Sequence, residues 1–370
     1  PAEQDGDVAG DVTDTVRELT VLEPRSDILV FLAGERDIRE TAKMLEGRHL
    51  PNTEIVPLYA RPPLSQQRRA FKVGGRRRIV LATNVAETSI TIPGIRAVID
   101  SGQARVKRYN PRTQVEKLHI EPVSKASARQ RQGRCGRVGP GLCFRLFGEK
   151  DFEGRAEFTD PEIKRSSLAS VILTMLNFNL GRVESFPFID PPTPAAVKDG
   201  YRELTELGAI DPQRRLTPLG RKLARLSLEP RLGRIVIEGQ RNGVLTDILT
   251  VVSALSTDDP RLRPVGEEAE ADKAHAAYAT ETSDFAAILR LWRALQKAHK
   301  TYRSGSRFRR YCREHYLSYR RIREWEAVRE QLKEECRQTG MRSKGGKTNE
   351  DKLHRSILPG FLNKIGRRHE

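Results

Sequence analysis

Five short apolar runs, at 27–32, 55–59, 78–83, 97–100 and 142–147, punctuate the first part of this 370-residue chain. Each is rich in Val, Ile and Leu, continuous rather than alternating, and too short for an ordinary helix. Runs of that kind suit strands covered on both faces, the condition of a parallel sheet flanked by helices. Polar segments of helical character fill the gaps at 35–47 and 65–72, which completes a β/α alternation. Val106 to Ile120 breaks the pattern. Asn110-Pro111 marks a turn between two β-prone stretches there, which reads as a hairpin added to the sheet. The expected fold of this part is α/β, a parallel sheet with an inserted β-hairpin.

Past Pro161 the chain becomes mostly α-helical. Phe186-Pro-Phe-Ile-Asp-Pro-Pro192 is a rigid, extended lead-in, after which Tyr201, Leu204, Leu207 and Ile210 keep helical spacing. Arg215-Leu-Thr-Pro-Leu-Gly220 turns into another helix. Phe285, Ile288, Leu289, Trp292 and Leu295 form one apolar stripe, with Asp284 as its expected N-cap. Residues 297 to 325 hold ten Lys/Arg against two Glu, interleaved with Tyr302, Phe308, Tyr311, Tyr316 and Tyr319. Rings that stack on bases beside cations that track phosphates would make a single-stranded RNA site; rings that pack a helical pair are the alternative.

Charge narrows the classes of partner. Sixty-six Lys and Arg against 49 Asp and Glu leave +17, which favours a polyanion: nucleic acid first, an anionic membrane surface second. No apolar run approaches the roughly 20 residues a membrane span needs, and the N-terminus shows no basic-then-apolar signal pattern. The four cysteines (Cys135, Cys143, Cys312, Cys336) are too sparse for a disulfide framework and lack zinc-ligand spacing, so structural thiols in a reducing cytoplasm are expected. Residues 1–24 set seven acidic groups against Arg17 alone and read as an acidic linker. The chain starts at Pro1 and reads as a piece of a longer protein.

The sharpest chemical signal is Gln130-Arg-Gln-Gly-Arg-Cys-Gly-Arg137. On a helix Gln130, Arg134 and Arg137 would share a face, and Gly133 and Gly136 strip away bulk so that a ligand or facing domain can approach. Two guanidiniums and an amide suit a transferring phosphoryl group: Arg neutralises its oxygens and Gln positions an attacking water. The second signal runs from Arg77 through Ala82-Thr-Asn-Val-Ala-Glu-Thr-Ser-Ile-Thr-Ile92 to Gly102. Here a buried strand feeds a loop dense in small polar groups, where α/β sheets bind ligands. Thr83, Asn84, Thr88, Ser89 and Thr91 are placed to touch phosphates. Local backbone capping by the same hydroxyls is the competing reading.

Together these segments resemble the second RecA-like domain and following helical domains of DEAH-box RNA helicases of the bacterial HrpA type. Asp27 to Ile38 is similar to motif IV, Ala82 to Ile92 to motif V, and Gln130 to Arg137 to motif VI, in that order. The similarity continues through Phe186 to Asp190, Leu216 to Gly220 and Leu228 to Arg231, which resemble the winged-helix and ratchet-like parts, and Arg310 to Leu332 resembles an HrpA-type continuation. The resemblance implies boundaries at 25–158 for the RecA-like domain, 159–226 for the winged helix and 227–340 for the helical bundle with its continuation. Residues 341–370 follow as a flexible basic segment and the start of a further region.

The resemblance also assigns roles. Arg134 and Arg137 would be arginine fingers, Gln130 would line the γ-phosphate site, and Ser89 would sense it. Phe71 would stack on adenine, with Thr91 on the same nucleotide. Gly34, Thr83 and Asn84 would grip the RNA backbone. Arg105, Lys107, Arg108, Arg112 and Lys117 of the hairpin suit phosphate contacts, against the alternative of a solvated face. ATP and Mg²⁺ are the implied cofactors, with no metal ligand in this chain, and RNA and a first RecA-like domain are the implied partners. Pro93 stands where many eukaryotic members have Asp, which puts nucleoside discrimination there in doubt.

The sequence holds no G-x-x-x-x-G-K-[ST] and no Asp-Glu-Ala-His. Gly345-Gly-Lys-Thr348 is a decoy, because the position five before Gly346 is Met341 and no strand precedes it. The chain alone is therefore expected to be inactive, as half of an ATP-dependent RNA helicase of the cytoplasm. A non-catalytic nucleic-acid adaptor and a DNA helicase fragment are the alternatives.

Overall fold

The computed structural model describes residues 7–59, 69–72, 74–88, 90–110, 115–137, 139–264, 266–281, 283–302, 304–342, 349–362 and 366. The chain divides into two compact units, Pro1–Ser166 and Ser167–Glu370.

The first unit opens with helix α1 (Val8–Leu22) and then alternates β1 (Asp27–Phe31), α2 (Glu35–Gly47), β2 (Thr53–Leu58) and β3 (Arg77–Ala82). A single turn α3 (Val85–Thr88) leads to β4 (Ile95–Asp100), then β5 (Gln103–Asn110), β6 (Val115–Pro122), α4 (Lys125–Gln132) and β7 (Leu142–Arg145), closed by α5 (Glu149–Gly154) and α6 (Glu162–Arg165). Five strands form one parallel sheet in the order β2-β3-β1-β4-β7. Alternate residues serve opposite faces: Ile28, Val30, Ile79 and Ile99 pack under α1 and α2, while Leu29, Phe31, Val80 and Val98 meet Ala86 and Ile92. Both faces are covered, which is why the runs read as continuously apolar.

Two expectations need correction. The acidic stretch read as a linker is largely α1, with Val12, Val16 and Leu19 buried in the core and Asp11, Asp14 and Glu18 exposed. Charge hid its i, i+4, i+7 apolar stripe. The hairpin β5–β6 does not join the parallel sheet but pairs only with itself, from Gln103↔Pro122 to Asn110↔Val115. The edge it would need is taken, because β4 already lies between β1 and β7, and Gly102, at φ +74°, turns the chain away.

The second unit is helical: α7 (Ala169–Asn177), α8 (Pro194–Glu206), α9 (Pro218–Leu223), α10 (Pro230–Arg241), α11 (Leu245–Leu255), α12 (Glu268–Ala276), α13 (Asp284–Thr301), α14 (Gly305–Glu314), α15 (Tyr319–Gln338) and α16 (Glu350–Ile357). Thr217 caps α9 by accepting from the Gly220 amide at 2.9 Å. Ser283, one residue before the expected Asp284, caps α13. Trp325 is 1% exposed and donates its indole N–H to the Thr250 carbonyl at 3.1 Å, tying α15 to α11. Among the described residues no helix is long and apolar enough to cross a membrane, and no cluster of three His, Cys, Asp or Glu could hold a metal.

Candidate functional site

Because β3 and β4 are parallel neighbours of β1, residues 83–94 must return from the carboxyl end of one strand to the amino end of the other. They do so across one sheet face, with Ala86 and Ile92 pressed among Leu29 and Phe31. Thr83 and Asn84 therefore stand at the carboxyl edge. Gly34 stands at the same edge after β1, where the Leu32 amide donates to the Ala82 carbonyl at 2.9 Å. The Arg105 guanidinium lies over Gly34, so close that a Cβ there would come within 2.7 Å of it. Asn84 also opens onto a cavity of about 530 Å³ under the hairpin, shared with Arg108, Ser124 and Phe158.

The other end of the same segment meets the arginine-rich turn. Ser124 caps α4 by accepting from the Ser127 amide at 3.2 Å, and the helix stops at Gln132 with Gly133 as its C-cap. The expected helical face is thus not formed. Gln130 lies exposed on α4, whereas Arg134 and Arg137 sit in the turn beyond it, because glycines at 133 and 136 favour leaving the helix. Arg134 is 8% exposed and donates to the carbonyls of Ile90, at 3.0 Å, and Glu87. Burial, and next the nearby Arg137, push its pKa down. Arg137 is exposed and donates to the Thr91 hydroxyl at 2.6 Å. A side chain at Gly136 would meet nothing within 4 Å, so the turn is open on that side.

The motif's other arginine, which the sequence reading passed over, lies at the centre. Arg131 is 0% exposed. It donates to Glu87 at 2.9 Å, to Asp100 at 2.7 Å and to the Gln103 carbonyl at 3.2 Å, and sits 4.9 Å over the Phe31 ring. Ser127 adds a 2.5 Å bond to Glu87. This network joins α3, α4, β4 and β5. Its signal was available, since Arg131 falls at i+4 and i+3 from the buried Ser127 and Ala128 and so faces inward.

A second buried arginine places the predicted adenine contact. Arg78, 3% exposed, pairs with Asp27 and donates to the carbonyls of Ala70 at 2.7 Å and Pro93 at 2.6 Å. Phe71 follows directly and is 39% exposed. Arg78 therefore fixes Phe71 and the Thr91–Pro93 stretch relative to each other.

The hairpin cations divide. Arg108 is held by Glu121 at 2.5 and 2.8 Å and by Asp160 at 3.0 Å, Lys107 pairs with Glu116, and Lys117 is exposed. Hydrogen bonding to Arg108 lowers the Glu121 pKa. Ser89, Arg112 and the 345–348 decoy lie outside the described residues.

A parallel five-stranded sheet with an arginine turn locked onto its β3–β4 segment, followed by a helical unit, is the architecture of a helicase C-terminal domain with its associated helical domains. The helicase conserved C-terminal domain family matches residues 11–139. The helicase associated domain (HA2) families match 201–228 as winged-helix and 229–309 as ratchet-like. The chain belongs to the DEAH-box helicases of the HrpA type. It is 48% identical over 360 residues to the ATP-dependent RNA helicase HrpA of Escherichia coli (strain K12), covering 96% of this chain and 28% of that protein. It is 45% identical over 371 residues to the HrpA homolog of Haemophilus influenzae, covering 98% and 28%. The crystal structure of the E. coli DExH-box NTPase HrpB superposes with a TM-score of 0.74 at 27% identity, covering 100% of this chain and 39% of that one. The chain thus spans under a third of the length of the two curated relatives.

Proposed function

We propose that this chain is the C-terminal part of a cytoplasmic ATP-dependent RNA helicase that couples ATP hydrolysis to movement along single-stranded RNA. In this reading the second RecA-like domain takes in α1 and runs to 158, with 159–226 the winged helix and 227–340 the helical bundle. A first RecA-like domain of the same protein supplies the phosphate loop and the Mg²⁺ ligands. The observation that carries the reading is the 83–94 segment. Its first residues stand with Gly34 at the carboxyl edge of the sheet, its last contact Arg137, and its middle is fixed to Arg131 through Glu87. This one segment joins the RNA-side residues to the nucleotide-side residues in sequence.

ATP with Mg²⁺ supplies the phosphoryl group and its charge. On this side of the cleft, Arg137 is the residue placed to act: exposed, held among the described residues by one neutral hydroxyl, and able to turn onto phosphate oxygens as charge spreads in the transition state. Arg134 is committed here to the carbonyls of 87 and 90, so its first role is to hold the backbone that leads to Thr91. Gln130 would orient the attacking water from α4, and Phe71 would stack on the base. Domain closure on ATP and reopening on release would shift the RNA grip at Gly34, Thr83, Asn84 and Arg105 along the strand.

The test is RNA-stimulated ATP hydrolysis by the complete protein, or by this chain mixed with a first RecA-like domain. The chain alone should show none. The complete protein should turn over, and Arg137→Ala should abolish turnover; RNA-stimulated hydrolysis that survives the substitution would sink the assignment.

A further inference from the structure

Residues 297–325 carry ten Lys/Arg against two Glu, so this short stretch supplies +8 of the chain's +17. The structure separates its rings from its charges. Phe308 is 1% exposed and Cys312 is likewise buried, and they point α14 inward with Tyr311 and Tyr319 packed against the same core. Phe308 stacks on His299 at 4.8 Å, lies parallel to Tyr311 at 6.2 Å and meets the edge of Tyr319 at 6.0 Å. These aromatics hold α13, α14 and α15 together, which leaves few faces for bases. The cations point the other way. Arg309, Arg310 and Arg313 fall within about 100° of arc on the exposed side of α14, at 3.6 residues per turn. Arg307, Arg320 and the α13 residues Lys297 and Lys300 are exposed as well. The described acidic neighbours do little to cancel them. Glu314 pairs with Arg310, Arg309 lies 5.0 Å over the Tyr319 ring, and Arg307, Arg313 and Arg320 have no acidic partner among the described residues.

We propose that the outer face of α14, with the adjoining ends of α13 and α15, is a second RNA-binding surface that takes the phosphate backbone of duplex RNA. A surface that reads single strands places aromatic rings outward between its cations; here Phe308, Tyr311 and Tyr319 pack into the core, Tyr302 is 37% exposed but leans on Tyr311 at 5.5 Å, and guanidiniums and ammonium groups dominate the face. Such a face contacts phosphates without reading sequence, and a duplex offers them at about twice the linear density of one strand. It belongs to the second unit, whereas the Gly34–Arg105 grip belongs to the first. The choice of RNA as the polyanion rests on the proposed function; the phosphate chemistry does not.

The test uses the 370-residue chain and a fluorescent, blunt RNA duplex, with affinity measured against salt. The triple variant R307Q/R313Q/R320Q removes cations with no described partner, so it should fold as the parent by circular dichroism. Its affinity should fall about tenfold or more, and the slope of log K against log salt should shrink by about 2 to 3. Arg48→Gln, at an exposed arginine of the first unit outside the Gly34–Arg105 grip, should leave the duplex slope within about one unit of the parent. Tyr302→Leu should change binding less than about twofold, since stacking is not the mode. A triple variant with parental affinity and slope overturns the proposal. So does a single strand that binds more tightly than the duplex and loses its advantage in Tyr302→Leu, or polyglutamate that displaces the duplex as well as unlabelled RNA does. Failure of the helicase reading shows instead as turnover surviving Arg137→Ala, and leaves these binding results unchanged.

Discussion

The segment 131–137, the end of α4 and the turn after it, and the helix at 305–314 are both dense in arginine and use it in opposite ways. In the segment, guanidiniums are engaged by groups from elsewhere in the first unit: Arg131 by Glu87 and Asp100, Arg134 by two backbone carbonyls, Arg137 by a hydroxyl. On the helix, charges stand in water over a scaffold of rings. The first arrangement fixes positions to a fraction of an ångström, as transition-state stabilisation requires. The second builds a field and needs only a sign. From the end of α4 into the turn the three arginines form a gradient from fully buried to exposed, and the exposed end is the one left for chemistry.

Substitutions can break this comparison. The largest effect should be on turnover of the complete protein. Arg137→Ala should lower RNA-stimulated kcat by about 10³ or more, the scale of an arginine finger, read by phosphate release. Next is Arg131→Met, which leaves the buried Asp100 and the partly buried Glu87 without their cation. The first unit should lose about 3–5 kcal/mol, measured by hydrogen exchange of β1 and β4 amides or by urea unfolding. A loss below about 1 kcal/mol would mean the network positions residues without stabilising them. Arg313→Gln on α14 is the matched contrast: stability should stay within about 0.5 kcal/mol, while duplex binding weakens.

The smallest effect concerns the hairpin. The Glu121 pKa is lowered, so the Arg108–Glu121 tie contributes fully above the ordinary carboxylate value and is lost as pH falls through the depressed one. Both side chains are partly exposed, which limits the contribution to well under about 1 kcal/mol. Amide exchange in β5 and β6 should therefore quicken, after correction for intrinsic rates, only below about pH 4. Protection that is flat down to pH 3 would show that the ladder, rather than the ion pair, holds the hairpin.

Much of the fold was legible because its signals are local. Apolar runs of strand length marked β1, β2, β3, β4 and β7, and the 35–47 helix has the bounds expected. The Arg215–Gly220 stretch marked the turn into α9, which starts at Pro218. α1 was missed because its acids drew more notice than its apolar period, and the hairpin's independence was invisible because edge availability depends on where β7 goes. At the site, residue types in 130–137 pointed to phosphoryl chemistry, but the helix was drawn too long and Arg131 was overlooked.

The sequence by itself determined the β/α order, the phosphate-seeking character of the turn, the basic stretch near 310 and membership of the helicase family. Only the tertiary structure decided which arginine is structural, which is a clamp and which is free, and whether the rings near 310 face bases or the core. The guanidinium of Arg131, 0% exposed, is buried where two carboxylates arrive to meet it. Those carboxylates stand 44 and 31 residues away in sequence, at Glu87 and Asp100. No local pattern records that meeting; it exists once the sheet has brought β4 and the segment after β3 under α4.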